Sequence, residues 1–264
     1  MNFRCLFKVF AVCLAFVLLT HSAQTQETRK TSRPRILLLM GMNKTTEEIL
    51  YLLFDANCGK LQNAALKAGA KLETSNNFVK GYDGVLAFVG GRWGTISPDT
   101  SIGAVAMAEI YSFVDQGGRA VILLSPSSRI LNETLSDLYS VVVDDELIEA
   151  SSDTLLLEGE TLCPLWTGLR LRASDDDHEV RIGSYLSGDL SAWKTTSMQS
   201  RATGKSRTVS AKRSIGQGQL WLIQSTSSSS WSDLCGSYFY DPNMINEDNE
   251  EAAIRLLKWI AKKK

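Results

Sequence analysis

The stretch Gly90-Gly91-Arg92 has the composition of a binding loop. It directly follows the apolar run 85–89, and glycines allow a backbone to approach a ligand closely. The guanidinium of Arg92 suits a carboxylate or a phosphate group. The G-x-G-x-x-G spacing of a dinucleotide-binding loop is absent, so no cofactor is predicted. The stretch is a candidate ligand site, and the alternative is a loop that only connects a strand to a helix.

Three serines, Ser125, Ser127 and Ser128, follow a second apolar run and are candidates for ligand contacts. A serine becomes a nucleophile when a neighbouring base, most often a histidine, removes its proton. Apart from His21, in an amino-terminal apolar segment, the chain has one histidine, His178, and it lies in a run of carboxylates. We therefore predict no catalytic residue. The alternative is a hydrolase that uses one of the three serines.

The acidic stretch 175–179, with the sequence DDDHE, contains the densest group of titratable side chains. Carboxylates are the ligands that Ca²⁺ prefers, but the stretch lacks the spacing and the glycine of an EF-hand loop, and a solvated turn is the simpler interpretation. Cys58, Cys163 and Cys235 fit no zinc-binding spacing, and they allow one disulfide bond with one thiol left over. No metal site is predicted.

A strand, a helix and a second strand are expected to position both candidate loops. The runs 85–89 and 120–124 are wholly apolar, which is typical of parallel strands covered on both faces. Between them, apolar residues recur at helical spacing from Ile102 to Val114, and Gly117-Gly118 ends the helix. Ligands of open α/β sheets bind at the carboxyl ends of the strands, which is where the candidate residues follow these two runs.

The rest of the chain continues this alternation. A strand over Arg35–Met40 and a helix precede the unit, and a hairpin at Gly216–Gly218 and a helix over Asn249–Ala261 close the chain. Residues 144–205 consist of short alternating pieces, which predict a β-rich insertion attached to the same sheet. We therefore predict a single α/β domain over residues 35–264, with a doubly wound, mostly parallel, flavodoxin-like sheet.

Four stretches resemble the class I glutamine amidotransferase-like superfamily, and within it the non-catalytic branch called the GIFT domain. They are the helix and turn at Ala64–Leu72, the YD-plus-strand pattern at Tyr82–Phe88, the F-x-x-x-GG-plus-strand pattern at Phe113–Leu124 and the closing strand at Gly216–Ile223. The resemblance implies an amidotransferase-like α/β fold. Catalytic members carry a cysteine after the strand that ends at Leu124, whereas this chain has Ser125-Pro126 there.

The resemblance also implies that the protein is not an enzyme and that it binds a protein or a small ligand. Members of this branch include accessory proteins of bacterial ABC-type and gliding systems, ciliary transport subunits and a luminal subunit of the oligosaccharyltransferase complex. A binding or scaffold module is therefore the leading expectation. A hydrolase is the first alternative, and a luminal subunit of a glycosylation complex is the second.

Residues 1–23 have the pattern of a secretory signal peptide, because Arg4 and Lys8 precede a short apolar run that ends near Ala23. Residues 24–34 are polar and are predicted to be a linker. The mature protein is therefore expected in an extracytoplasmic space, periplasmic or secreted, without a membrane span.

Charge and sequons set further expectations. The net charge of −1 and the lack of a basic stripe argue against nucleic acid as a partner. Asn43 and Asn132 each begin an N-x-T sequon, which is an acceptor site for glycosylation if the source is eukaryotic.

Overall fold

The computed structural model describes residues 32–39, 61–75, 77–89, 101–124, 129–144, 149–151, 156–172, 180–182, 185–200, 203–224 and 247–262. The chain from Pro34 to Lys264 belongs to one compact unit. The predicted signal peptide, residues 1–23, lies outside the described residues, as does the predicted linker except for residues 32–34.

The strands of the described chain are β1 (Arg35–Leu39), β2 (Lys71–Ser75), β3 (Gly84–Val89), β4 (Arg119–Leu124), β5 (Val141–Asp144), β6 (Glu149–Ser151), β7 (Leu156–Glu158), β8 (Arg170–Arg172), β9 (Val180–Ile182), β10 (Tyr185–Gly188), β11 (Lys194–Gln199), β12 (Ser206–Ile215) and β13 (Gly218–Gln224). The helices are α1 (residues 61–67), α2 (Ser101–Asp115), α3 (Arg129–Tyr139) and α4 (Glu247–Ala261). Among these described helices, none is both long enough and apolar enough to cross a membrane.

Nine strands form one sheet in the order β2-β1-β3-β4-β13-β12-β10-β5, with β11 paired to β12. The pairs from β2 to β13 are parallel, and the pairs from β13 to β5, together with β11, are antiparallel. The prediction of an α/β protein is confirmed. The sheet is mixed because the β12–β13 hairpin reverses the chain and strands from residues 144–205 extend the antiparallel half.

Helices cover both faces of the central strands because these strands carry apolar side chains on both sides. One face packs against α2 and α3, and the other packs against α1 and α4. Fully buried residues that alternate between the two faces are Ile36 and Leu37 of β1, Val85 and Leu86 of β3, and Val121 and Ile122 of β4. The continuous apolar runs in the sequence thus correspond to strands enclosed by two helical layers.

The segment 156–172 packs against α4 through Trp166, whose side chain is fully buried. The indole Nε1 donates a hydrogen bond of 3.1 Å to the carbonyl oxygen of Ala252 in α4. Gly159 lies directly under this tryptophan, because an added Cβ at Gly159 would stand 2.6 Å from the Cβ of Trp166. The segment is therefore part of the core on the α4 face.

A close approach of backbones explains the glycine at the start of β3. A Cβ added at Gly84 would lie 2.9 Å from the carbonyl oxygen of Ile260 and would also collide with the side chain of that residue. Helix α4 therefore ends directly against the first residue of β3. The glycine in the Tyr82–Phe88 pattern is required by this packing.

Candidate functional site

The carboxyl ends of β1, β3, β4 and β13 lie side by side, and we call this border of the sheet the carboxyl edge. Val89 of β3 is in register with Leu124 of β4, which is in register with Gln224 of β13. Leu39 of β1 is in register with Ala87 of β3. Strands β3, β4 and β13 thus end in one row, and the segments after them begin next to one another.

The direction of winding reverses at the carboxyl edge between β1 and β3. The chain passes from β1 to β2 on one side and then to β3 on the other side of β1. In open α/β sheets such a reversal opens a crevice outside the carboxyl ends of the strands, and ligands bind there. The topology therefore favours this part of the edge as a binding position.

The predicted ligand-binding residues follow β3 and β4 directly in the chain: Gly90, Gly91, Arg92, Ser125, Ser127 and Ser128. All six lie outside the described residues. The residues that precede them, Val89 and Leu124, are neighbours across the β3–β4 pair. The two predicted loops therefore start from adjacent strands at the carboxyl edge.

Gln224 is a buried polar residue at the carboxyl edge that the sequence analysis did not identify. It is the last residue of β13, and its side chain is fully buried. A buried amide destabilises a fold unless hydrogen bonds compensate it, so this side chain has a defined environment. The available sequence indication was a glutamine at the end of the apolar run 220–223.

The thiol of Cys163 is not a candidate nucleophile or metal ligand. It is a free cysteine within the core, and burial raises its pKa to about 12. A reactive or metal-binding cysteine must ionise readily, so Cys163 acts as a small apolar residue. Cys58, Cys235 and the stretch 175–179 with His178 lie outside the described residues. Within the described ranges, no group of three His, Cys, Asp or Glu side chains is close enough together to hold a metal ion.

Glu73 is the centre of an ion cluster near the amino ends of β1 and β2. Its carboxylate accepts hydrogen bonds from Arg35 Nη2 at 2.7 Å and from the Tyr82 hydroxyl at 2.8 Å, and it pairs with Lys71 Nζ at 2.8 Å. These bonds, that of Arg35 first, lower the pKa of Glu73 to about 2. All three partners bind the same carboxylate, and the cluster joins β1 to β2 and to Tyr82, so its contacts have a structural explanation.

The predicted sequon at Asn132 has a structural role in the folded chain. Asn132 Nδ2 donates to the carbonyl oxygen of Val143 at 2.9 Å, and Asn132 Oδ1 accepts from the Val143 amide at 2.8 Å. Val143 belongs to β5, which is the last strand of the sheet. The side chain amide therefore satisfies backbone groups that an edge strand otherwise leaves open. The atom that would carry a glycan is engaged in this contact, and the Asn43 sequon lies outside the described residues.

Replacing Asn132 by alanine is expected to destabilise the protein by about 1–3 kcal/mol, because both Val143 backbone groups lose a partner. Asn132→Asp is the matched variant, since it keeps the acceptor for the Val143 amide and loses the donor. Urea denaturation should rank the native protein above Asn132→Asp and Asn132→Ala. Equal midpoints for all three would show that the contact contributes nothing to stability.

Comparisons with known proteins return no matching family model and no matching curated protein. Solved structures with similarity include the cold-adapted β-galactosidase from Rahnella sp. R3, which is 15% identical, with 87% of this chain and 31% of that chain covered and a TM-score of 0.42. The carbohydrate deacetylase Agd3 is 11% identical, with 87% and 32% covered and a TM-score of 0.45. A cytoplasmic protein from Salmonella typhimurium is 10% identical, with 88% and 100% covered and a TM-score of 0.39.

These similarities correct the expectation that the protein is not an enzyme. That expectation came from a resemblance to a non-catalytic branch and from the missing cysteine and histidine, whereas the similar structures include a β-galactosidase and a carbohydrate deacetylase. The chain spans about a third of the length of each of these two enzymes.

Proposed function

We propose that the protein binds a ligand, either a small molecule or a segment of a partner protein, at the carboxyl edge. The observation that carries the proposal is the common row in which β3, β4 and β13 end, next to the reversal of winding between β1 and β3. The glycines and Arg92 that follow β3 supply close backbone approach and a positive charge for a carboxylate or phosphate.

The proposed fold is that of the class I glutamine amidotransferase-like superfamily, in a flavodoxin-like arrangement. Helices on both faces of a sheet with parallel central strands support this proposal. The F-x-x-x-GG pattern falls at the junction of α2 and β4, and the closing pattern falls on β13. The proposed location is an extracytoplasmic space, on the basis of the amino-terminal sequence pattern.

Hydrolysis by a serine is the second candidate function, and the connection from β4 to α3 favours it. Strand β4 ends at Leu124 and helix α3 begins at Arg129, so the three serines belong to the four residues between a buried strand and a helix. Hydrolases of the α/β class carry their nucleophile at this position in the chain, between a parallel strand and the helix that follows it. The base that a serine nucleophile needs is not identified among the described residues.

The proposed binding function is tested with Arg92→Ala and with Arg33→Ala as its matched control. Arg33 is an exposed arginine just before β1, at the opposite end of that strand. A panel of small carboxylates and phosphate esters would be screened by ligand-observed NMR. We expect Arg92→Ala to weaken binding of the best ligand about tenfold, since one charged contact is lost, and to leave the melting temperature nearly unchanged. Unchanged binding by Arg92→Ala with a lower melting temperature would make the loop structural.

The hydrolase candidate is tested by labelling with a fluorophosphonate probe followed by peptide mass spectrometry. Hydrolysis predicts modification of Ser125, Ser127 or Ser128, and alanine at the modified position should abolish both the label and any esterase turnover. Absence of label from a folded protein that binds its ligand would reject the hydrolase and leave the binding function.

A further inference from the structure

Three basic side chains converge on the α4 face of the sheet, at the end opposite to the carboxyl edge. Arg119 is the first residue of β4, Lys212 lies in β12 and Lys194 is the first residue of β11. Lys194 is in register with Lys212, and Lys212 with Trp221 of β13. We call Arg119, Lys194 and Lys212 the basic cluster.

Two tryptophans support the basic cluster. The Nζ atom of Lys212 lies 5.2 Å from the ring centroid of Trp221 and 5.1 Å from that of Trp259 in α4, and the two rings pack edge to face at 5.3 Å. The Cζ atom of Arg119 lies 5.3 Å from the Trp259 centroid. Cation–π attraction thus holds both positive charges beside one indole ring.

Part of this arrangement has a structural explanation. Arg119 Nη1 donates a hydrogen bond of 3.0 Å to the carbonyl oxygen of Trp259. This carbonyl lies in the last turn of α4, where backbone oxygens lack partners within the helix and a positive charge is favourable. Arg119 therefore caps α4. The cap does not account for Lys194 and Lys212, which add positive charge to the same place.

The positive charge of the basic cluster is not neutralised by any carboxylate in the part of the chain that the structure describes. The ion pairs found there involve other cations: Arg35, Lys67, Lys71, Arg170 and Arg255. The buried Nε atom of Arg119 also lacks a hydrogen-bond partner within these ranges. Burial first, and then repulsion from Arg119 and Lys194, lower the pKa of Lys212. Like charges held together in this way destabilise a fold and are typical of sites that bind an anion.

We infer that the basic cluster is a binding site for a doubly charged oxyanion, namely a phosphate or sulfate group. Its cations come from β4, β12 and β11, so a tetrahedral group with several oxygens can accept hydrogen bonds from more than one of them. Lys212 and Arg119 are partly buried, which strengthens their attraction for an anion relative to fully solvated charges. The site lies at the opposite end of β4 from Leu124 and is independent of the function proposed for the carboxyl edge.

The test is titration of the full chain with inorganic phosphate and with inorganic sulfate, by calorimetry and by thermal melting, against sodium chloride at matched ionic strength. Lys212→Met removes the charge and keeps an apolar chain of similar length against the two tryptophans. Lys205→Met is the matched control, because Lys205 is an exposed lysine at the far end of the β11–β12 hairpin. We expect phosphate to raise the melting temperature of the native protein and of Lys205→Met. The affinity for phosphate should fall about tenfold or more in Lys212→Met.

The same titration with a sugar phosphate and a sulfated disaccharide separates a free anion from a group carried on a larger molecule. Tighter binding of the sugar phosphate or the sulfated disaccharide than of the inorganic ion supports the site and assigns it to a phosphate or sulfate group on a larger molecule. Equal binding supports the site for the free ion. Equal phosphate affinity of the native protein and a folded Lys212→Met variant would overturn the inference. So would a native protein that phosphate stabilises no more than chloride does.

Discussion

Replacing Val85 by aspartate is expected to unfold the protein at room temperature. Val85 is fully buried in β3, and β3 lies between β1 and β4 in the centre of the sheet. Its environment is the apolar layer between the sheet and α2, so a carboxylate there has neither water nor a positive partner. The cost of several kcal/mol is comparable with the total stability of about 5–15 kcal/mol that is typical of domains. Circular dichroism should show loss of the cooperative thermal transition.

The control is the same substitution at Val105, which is 57% exposed on α2. Val105→Asp changes the same side chain to the same charge in water, so its effect on stability should stay within about 0.5 kcal/mol. A cooperative transition in Val85→Asp close to that of Val105→Asp would contradict the position of β3 in the centre of the core.

Replacing Trp166 by alanine is expected to destabilise the protein by about 3–5 kcal/mol, because a large cavity forms between the segment 156–172 and α4. The substitution also leaves the carbonyl oxygen of Ala252 without the indole donor. Chemical denaturation gives the loss of free energy of unfolding. Limited proteolysis reports whether the segment detaches, since cleavage within 156–172 should accelerate more than cleavage elsewhere.

Trp166→Phe separates packing from hydrogen bonding. Phenylalanine keeps most of the aromatic volume and removes the Nε1 donor, so its cost should be near that of one buried hydrogen bond, about 1–3 kcal/mol. If Trp166→Phe were as destabilising as Trp166→Ala, the hydrogen bond and not the cavity would dominate. If neither variant changed stability, the segment would not belong to the core.

The local patterns of the sequence determined the central layer of the protein. Apolar runs without alternation predicted β1, β3 and β4, and helical periodicity from Ile102 to Val114 predicted α2. The Gly216–Gly218 stretch predicted the β12–β13 hairpin. These features are legible because backbone conformation and burial on both faces act over a few consecutive residues. The same patterns placed the candidate loops after β3 and β4, which the register of Val89 with Leu124 brings to one border of the sheet.

Only the tertiary structure decided which distant residues meet. Asn132 begins a sequon and is hydrogen-bonded to the edge strand β5, while Trp166 belongs to the predicted β-rich insertion and packs on α4. The basic cluster draws on β4, β11 and β12, with Trp259 supplied by α4. No short pattern encodes such contacts, because each depends on strand order and on loops that close over long separations. A charge and an aromatic ring far apart in the chain acquire a joint role only when the sheet sets them side by side.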